Sequence, residues 1–418
     1  MPWPKIVHVR AQEAMMLTIQ QIEDAAENLH HVIRHTELMH SPYYSKLLGT
    51  QIFFKCENLQ HTGSFKIRGA YHFLSRQAPE QLAAGVVTAS AGNHAQGLAS
   101  AAALLHCPCR VVMPEGTPLA KELATLAHGA QVELKGSGFD EAVAYAGELA
   151  QRDNLLYVPA FDHELIMAGQ GTVGLEILHD LPELDTLLVP IGGGGLIAGV
   201  AAAVKARKPA VRIIGVEAAC AASAALARRN GRPVYLASYC HTLADGIAVK
   251  QVGELTFPEI QKYVDDIISV DEEAIAMAIV SLMEKGKLVV EGAGVVGLAA
   301  LLYGDKSVQR GNTLCLLSGG NLDVQTMARV VERGLLAEGR FLKLRLEMID
   351  MPGALATLTQ VLSELKANIF QVSHDRHKSS LPLGEAEVIV DLETRGPGHI
   401  QDILIRLEEE GYRPEVQY

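Results

Sequence analysis

One lysine in HTGSFKIRGAYHF, residues 61–73, has neighbours that would suit a reactive amine: Lys66 follows Ser64 and Phe65 and stands between Gly63 and Gly69. Glycines so placed would let the backbone pack closely around it. An ammonium with an ordinary pKa of about 10.4 becomes a nucleophile and a base only when it loses its proton, and exclusion of water favours that loss. The same residues also fit an amphipathic lysine whose stem lies along a helix end while its charge reaches water. Taken alone, the stretch leaves both readings open.

A second candidate is PIGGGGLIAG, residues 190–199, which follows the strand-like TLLV and opens a helical pattern. The backbone N–H groups of Gly192, Gly193, Gly194 and Gly195 could surround a phosphate at that helix N-terminus. Gly193, Gly195 and Ala198 also satisfy a dinucleotide fingerprint, with Glu217 at the end of the next strand as the ribose-binding acid, so a nicotinamide site is the rival. His106, Cys107 and Cys109 lie together, but no second ligand pair at zinc spacing accompanies them. The six cysteines, at 56, 107, 109, 220, 240 and 315, form no dense framework and read as buried thiols of a cytoplasmic protein.

The elements that must position these residues alternate. From about residue 50 to 325, short apolar runs ending in glycine-rich turns are followed by alanine-rich segments of helical period. That pattern predicts an α/β fold of mostly parallel sheets covered by helices, with ligands at the loops after strand ends. Beyond residue 335 the pattern changes. Leu342, Leu344, Leu346 and Met348 alternate with charged residues, then Pro352 opens a predicted helix with Leu355, Leu358, Leu362 and Leu365 on one face. Two more strands, a helix and a last short strand give β-α-β-β-α-β, a small ferredoxin-like domain. The expected organisation is a tail over 1–17, a catalytic domain over 18–327 with a smaller subdomain near 56–156, a helical or linker connection over 328–340, and the ferredoxin-like domain over 341–418.

With 418 residues, 49% hydrophobic and 20% charged, the chain can bury more than one core. Its net charge of −12, without a run of lysines or arginines, argues against nucleic acid as a partner. No apolar run reaches the roughly 18 residues of a membrane-spanning helix, and the first residues lack a signal-peptide core.

Six segments together resemble the fold-type II pyridoxal-phosphate enzymes, and within them the threonine dehydratases: TGSFKIRGA at 62–70, SAGNHAQG at 90–97, GGGGL at 192–196, LADGIAV at 243–249, VVEGAG at 289–294 and SGGN at 318–321. They occur in the family's order. The resemblance implies pyridoxal 5'-phosphate as cofactor, Lys66 as its covalent anchor and the base of the reaction, and Phe65 against its ring. It implies Asn93 on the ring oxygen, Gly192 to Gly195 with Leu196 around the phosphate, and Ser318 at the ring nitrogen. A hydroxyl there does not enforce protonation of that nitrogen, which suits elimination. Ser90 and the backbone of Ala91, Gly92, Asn93 and His94 would hold the substrate carboxylate.

The implied reaction is β-elimination on an amino acid: L-threonine to 2-oxobutanoate and ammonia, with L-serine to pyruvate beside it. Related serine racemases carry a serine where this chain has Ala91, so a second proton donor for racemisation is missing. Their metal site corresponds to Glu217, Ala221 and Ser223, which lacks an aspartate, and no firmly bound divalent ion is expected. In RHTEL, residues 34–38, Glu37 replaces the family's usual proline. The C-terminal domain resembles an ACT domain, through the D-x-P-G-x-L of residues 350–355 and Asn368 and Ile369. That implies an amino-acid effector and a homodimer or homotetramer. Rival readings are a serine or 3-hydroxyaspartate dehydratase, and an ACT-based sensor on a catalytically inactive scaffold.

Overall fold

The computed structural model describes residues 16–237, 241–305, 308, 310–377 and 381–417. Most of the expected N-terminal tail and Cys240 therefore lie outside the described residues. The chain divides into two compact units, residues 1–324 and 325–418.

The first unit is built on two sheets. The larger has six strands in the order Leu38–His40, Ile52–Cys56, Thr313–Leu317, Thr186–Pro190, Arg212–Ala218, Asp266–Val270. All neighbours run parallel except the first pair. The strands Thr186–Pro190 and Thr313–Leu317 are buried at every position, as a sheet covered on both faces requires. Its covering helices Gly195–Arg207 and Gly292–Tyr303 are apolar all round and buried over residues 195–204 and 292–301. The smaller sheet is wholly parallel, in the order Gln131–Leu134, Cys109–Met113, Val86–Ala89, Leu156–Tyr157.

Thr18 caps the first helix, Ile19–Leu29, with a capping box to Gln21. Glu37, at the position where the resemblance has proline, is exposed, and its carbonyl accepts the Cys56 N–H at 3.0 Å. Thr36 beside it is buried and donates to Glu57 at 2.5 Å.

An ionic cluster anchors the helix that starts at Lys66. Arg68 is fully buried; its guanidinium donates to Glu57 at 2.7 and 2.8 Å and to Glu176 at 2.6 and 3.0 Å. Lys55 lies 2.8 Å from Glu176 and 3.2 Å from Asp180. The helix Lys66–Ser75 is thereby tied to the turn after strand Ile52–Cys56 and to the helix Glu164–Asp180.

The second unit has the predicted β-α-β-β-α-β order. Its antiparallel sheet runs Asn368–Asp375, Glu385–Glu393, Phe341–Ile349, Glu415–Gln417, with the two helices Ala354–Glu364 and Pro397–Glu409. Leu342, Leu344, Leu346 and Met348 meet Leu358, Leu362, Ile403 and Leu407 in its core. Two details differ from expectation. Pro352 lies in the turn before the helix, because Gly353 takes φ +93° and the helix starts at Ala354; and Leu355 is exposed rather than inward. Residues 324–337 form a helix that runs through most of the expected connection.

Candidate active site

Strand ends of the larger sheet, and loops beside them, surround a pocket lined by Phe65, Lys66, Asn93, Gly192, Gly193, Gly194, Gly195, Leu196 and Ser318, together with Ala160, Phe161, Ile166, Gln170, Pro190, Gly246, Ile247, Glu291 and Ala293.

Lys66 is the first residue of its helix, and Phe65 just before it is buried in the larger core. The Ser318 carbonyl accepts the Phe65 N–H at 3.2 Å, and Ser64 bridges Gly319, so the strand Thr313–Leu317 holds the lysine segment in place. Lys66 Nζ lies 5.2 Å from the Phe65 ring centre and donates to the Ala160 carbonyl at 3.0 Å. Burial pushes its pKa down to about 8, against the pull of the Glu291 carboxyl.

Gly69 allows a close backbone approach as expected, with the Ile166 carbonyl 2.8 Å from where its Cβ would lie, whereas Gly63 meets a side chain. A Cβ on Gly63, at φ +70°, would lie 2.3 Å from Asn321 Oδ1, and one on Gly69 would lie 2.4 Å from Gln170 Nε2. Gly97 is the glycine that lets another backbone approach Lys66, since a Cβ there would sit 3.0 Å from the lysine's own Cβ.

The four-glycine loop is shaped by two segments distant in sequence. A Cβ on Gly193 would fall 2.3 Å from the Phe161 ring, and one on Gly194, which has φ +96°, 2.7 Å from Thr256 Oγ1. Thr256 Oγ1 donates to the Gly193 carbonyl at 2.7 Å. Asp162 accepts the N–H groups of Glu254, Leu255 and Thr256 at 3.0, 2.9 and 3.3 Å, which secures the segment carrying Thr256. The N–H groups of Gly193, Gly194, Gly195 and Leu196 donate to no backbone carbonyl among the described residues. They open the helix Gly195–Arg207 as a concentration of free donors.

Asn93 begins the helix Asn93–Leu104. Its Nδ2 donates to Glu291 at 2.5 Å and its Oδ1 accepts from Asn321 at 2.8 Å. Burial and Asp245 hold the Glu291 carboxyl up to about 7, opposed by Asn93, Lys121 and Lys66. Ser318 is buried just after the strand Thr313–Leu317, at the same end of the sheet as the glycine loop that follows its parallel neighbour Thr186–Pro190.

Of the predicted substrate loop, only Asn93 reaches the pocket wall; Ser90, Ala91, Gly92 and His94 do not line it. The Ser90 hydroxyl accepts the Gly92 N–H at 3.3 Å. The His94 ring turns to the Val158 carbonyl at 3.4 Å, and burial with the nearby Lys66 charge pushes it down to about 3, so it is neutral. Glu217 stands apart. Its buried carboxylate accepts Ala224 and Ala225 N–H at 2.7 and 2.9 Å, capping the helix Ser223–Asn230 rather than awaiting a ribose. The sequence reading missed Glu291, Gly246 and Phe161, although VVEGAG and LADGIAV contain the first two.

Comparison with known proteins agrees with this geometry. The family described as pyridoxal-phosphate dependent enzyme matches residues 29–319. An L-threonine ammonia-lyase of Geobacter sulfurreducens is 53% identical over 401 residues, covering 96% of this chain and 100% of that one. Among solved structures, the processed form of threonine deaminase isoform 2 from Solanum lycopersicum superposes with a TM-score of 0.73 at 37% identity, covering 80% of this chain and 95% of that one. Maize serine racemase gives 0.72 at 34% identity, covering 77% and 99%. With a lysine, an amide, a glycine loop and a serine gathered at one pocket and a match over most of its length, the chain belongs to the pyridoxal-phosphate dependent enzyme family.

Proposed function

We propose that this chain is a threonine ammonia-lyase, converting L-threonine to 2-oxobutanoate and ammonia and L-serine to pyruvate. The observation that carries the reading is the meeting of Lys66, Asn93, the glycine loop and Ser318 in one pocket. The relatives named for threonine support the choice of substrate.

The residues fit pyridoxal phosphate. Free N–H groups at a helix N-terminus suit a phosphate, a desolvated amine suits an aldehyde, and the Phe65 ring offers an apolar neighbour for an aromatic ring. Lys66 would hold the aldehyde, the loop of Gly192, Gly193, Gly194, Gly195 and Leu196 the phosphate, Asn93 the ring oxygen and Ser318 the ring nitrogen. When bound, the cofactor supplies an electrophilic carbon for amines and a ring that takes up electron density from the substrate's α-carbon.

The chain's own residues do the rest. With its pKa lowered to about 8, the Lys66 amine is partly neutral near neutral pH and would take up the substrate's α-proton. Ser90 and the N–H groups of the 90–94 loop, of which only Asn93 lines the pocket itself, would receive the substrate carboxylate at the start of the helix Asn93–Leu104. Ala91 has no proton to return to the other face, which favours elimination over racemisation.

We further assign catalysis to residues 18–327, with a smaller subdomain near 56–156, and regulation by an amino acid to 341–418, in a homodimer or homotetramer. The division into two compact units and the βαββαβ sheet support that assignment. Among the described residues no helix is long and apolar enough to cross a membrane. Cys56, Cys107, Cys109 and Cys315 are buried free thiols, which supports a cytoplasmic setting. Initial rates on L-threonine, L-serine and 3-hydroxyaspartate test the substrate: threonine is expected to turn over fastest, and negligible turnover of it contradicts the proposal.

A further inference from the structure

One buried acid faces the pocket without a role so far. Glu291 precedes the helix Gly292–Tyr303, is 5% exposed, and places Oε1 2.5 Å from Asn93 Nδ2. The other end of that amide is held as well, because Asn321 Nδ2 donates both to Asn93 Oδ1 at 2.8 Å and to the Thr62 carbonyl at 2.9 Å. An amide has two N–H donors, so this arrangement fixes its orientation and leaves one N–H for the pocket. The packing admits little slack: a Cβ on Gly319 would lie 2.4 Å from Glu291 Oε1.

We propose that Glu291 is a positioning residue: with Asn321 it orients the Asn93 amide toward the cofactor, in a pocket wall it shares with Lys66. The proposal rests on the reading of Asn93 as a cofactor contact. The charged groups facing Glu291 come from three elements: Lys66 on its helix, Lys121 on the helix Leu119–Ala127, and Asp245 in the turn Asp245–Ile247. Lys121 is paired with Asp245, so these two largely offset one another. Glu291 is then the acid that acts on Lys66, and its carboxylate favours the ammonium form.

The test uses the full chain as wild type, Glu291→Gln, Glu291→Ala, Asn93→Ala and the Asn93→Ala/Glu291→Ala double variant. Affinity for pyridoxal phosphate is measured by absorbance titration, and labelling of Lys66 by an amine reagent is followed by mass spectrometry across pH in cofactor-free protein. Glu291→Ala is expected to weaken binding about tenfold, through loss of one charge-assisted hydrogen bond. Glu291→Gln still offers an oxygen to Asn93 and is expected to stay within about threefold of wild type, which also controls for folding. The double variant should bind no more weakly than Asn93→Ala, because the two residues act as one unit. In Glu291→Gln the labelling midpoint should move to lower pH, since the carboxylate that favoured the ammonium is gone. Wild-type binding in Glu291→Ala, full additivity in the double variant, or an unmoved midpoint in Glu291→Gln overturns the proposal. Unchanged binding in Asn93→Ala overturns the reading of Asn93 itself, and the Glu291 proposal with it.

Discussion

Lys66 Nζ donates a 3.0 Å hydrogen bond to the Ala160 carbonyl, a neutral acceptor that holds the amine in the pocket without a counter-charge. Among the charged groups near it, the Glu291 carboxyl pulls its pKa up, and burial outweighs that pull. The ammonium form is therefore disfavoured in the folded protein, and this has consequences for both reactivity and stability.

Below about pH 8 the folded and unfolded chains both carry the Lys66 proton, and the folded one bears the full desolvation cost. Between about 8 and the ordinary lysine value the unfolded chain binds more protons, so this contribution to stability rises with pH. Lys66→Met is expected to stabilise the cofactor-free protein at pH 7 by about 1–3 kcal/mol, while abolishing turnover. Urea unfolding of the two proteins at pH 7 checks the gain.

Gly194→Ala would force a side chain onto φ +96° and to within 2.7 Å of Thr256 Oγ1. Positive-φ strain costs about 1–3 kcal/mol, and displacement of Thr256 frees the Gly193 carbonyl it holds. Lower unfolding stability together with weaker cofactor binding is the expected pair of results. Gly231→Ala, also at positive φ but with nothing near its Cβ, should lose stability alone.

Arg68 stands two residues beyond the candidate anchor and pairs with the buried Glu57 and with the half-buried Glu176, which Lys55 also meets. Arg68→Leu leaves those carboxylates without their shared cation, a change that costs about 3–5 kcal/mol. Chemical denaturation should show the loss. Restored stability in Arg68→Leu combined with Glu57→Gln would identify unpaired charge as its cause.

If the second unit takes an amino-acid effector, L-isoleucine should change the initial rate on L-threonine several-fold, as coupling between two sites ordinarily does. Titration with isoleucine and with valine measures this. A flat response to both contradicts isoleucine or valine as the effector and leaves the second unit structural or tuned to another ligand.

Much of the site was legible because its parts sit in short runs that each do one job. Four glycines after a buried strand announce a tight loop at a helix N-terminus. The first strand of the second unit was equally plain from alternating Leu342, Leu344 and Leu346. What the sequence could not display were contacts between distant runs. Glu291 is 198 positions from Asn93, and its raised pKa exists only once folding removes water from it. Phe161 and Thr256 shape the glycine loop from two other segments, while Gly63 meets Asn321 and Gly69 meets both Gln170 and the Ile166 backbone. Glu217 showed the opposite hazard: spacing matched a ribose acid, yet the next helix begins within reach and its free N–H groups claim the carboxylate.

The central claim is that Lys66 is the residue to which the cofactor attaches. Full-length protein supplied with pyridoxal phosphate, reduced with borohydride and digested, can be mapped by mass spectrometry beside Lys66→Ala treated identically. The account predicts the added mass on the peptide containing Lys66 in wild type and no addition at the site in the variant. Wild-type protein that acquires no added mass, or acquires it at another lysine, would contradict it.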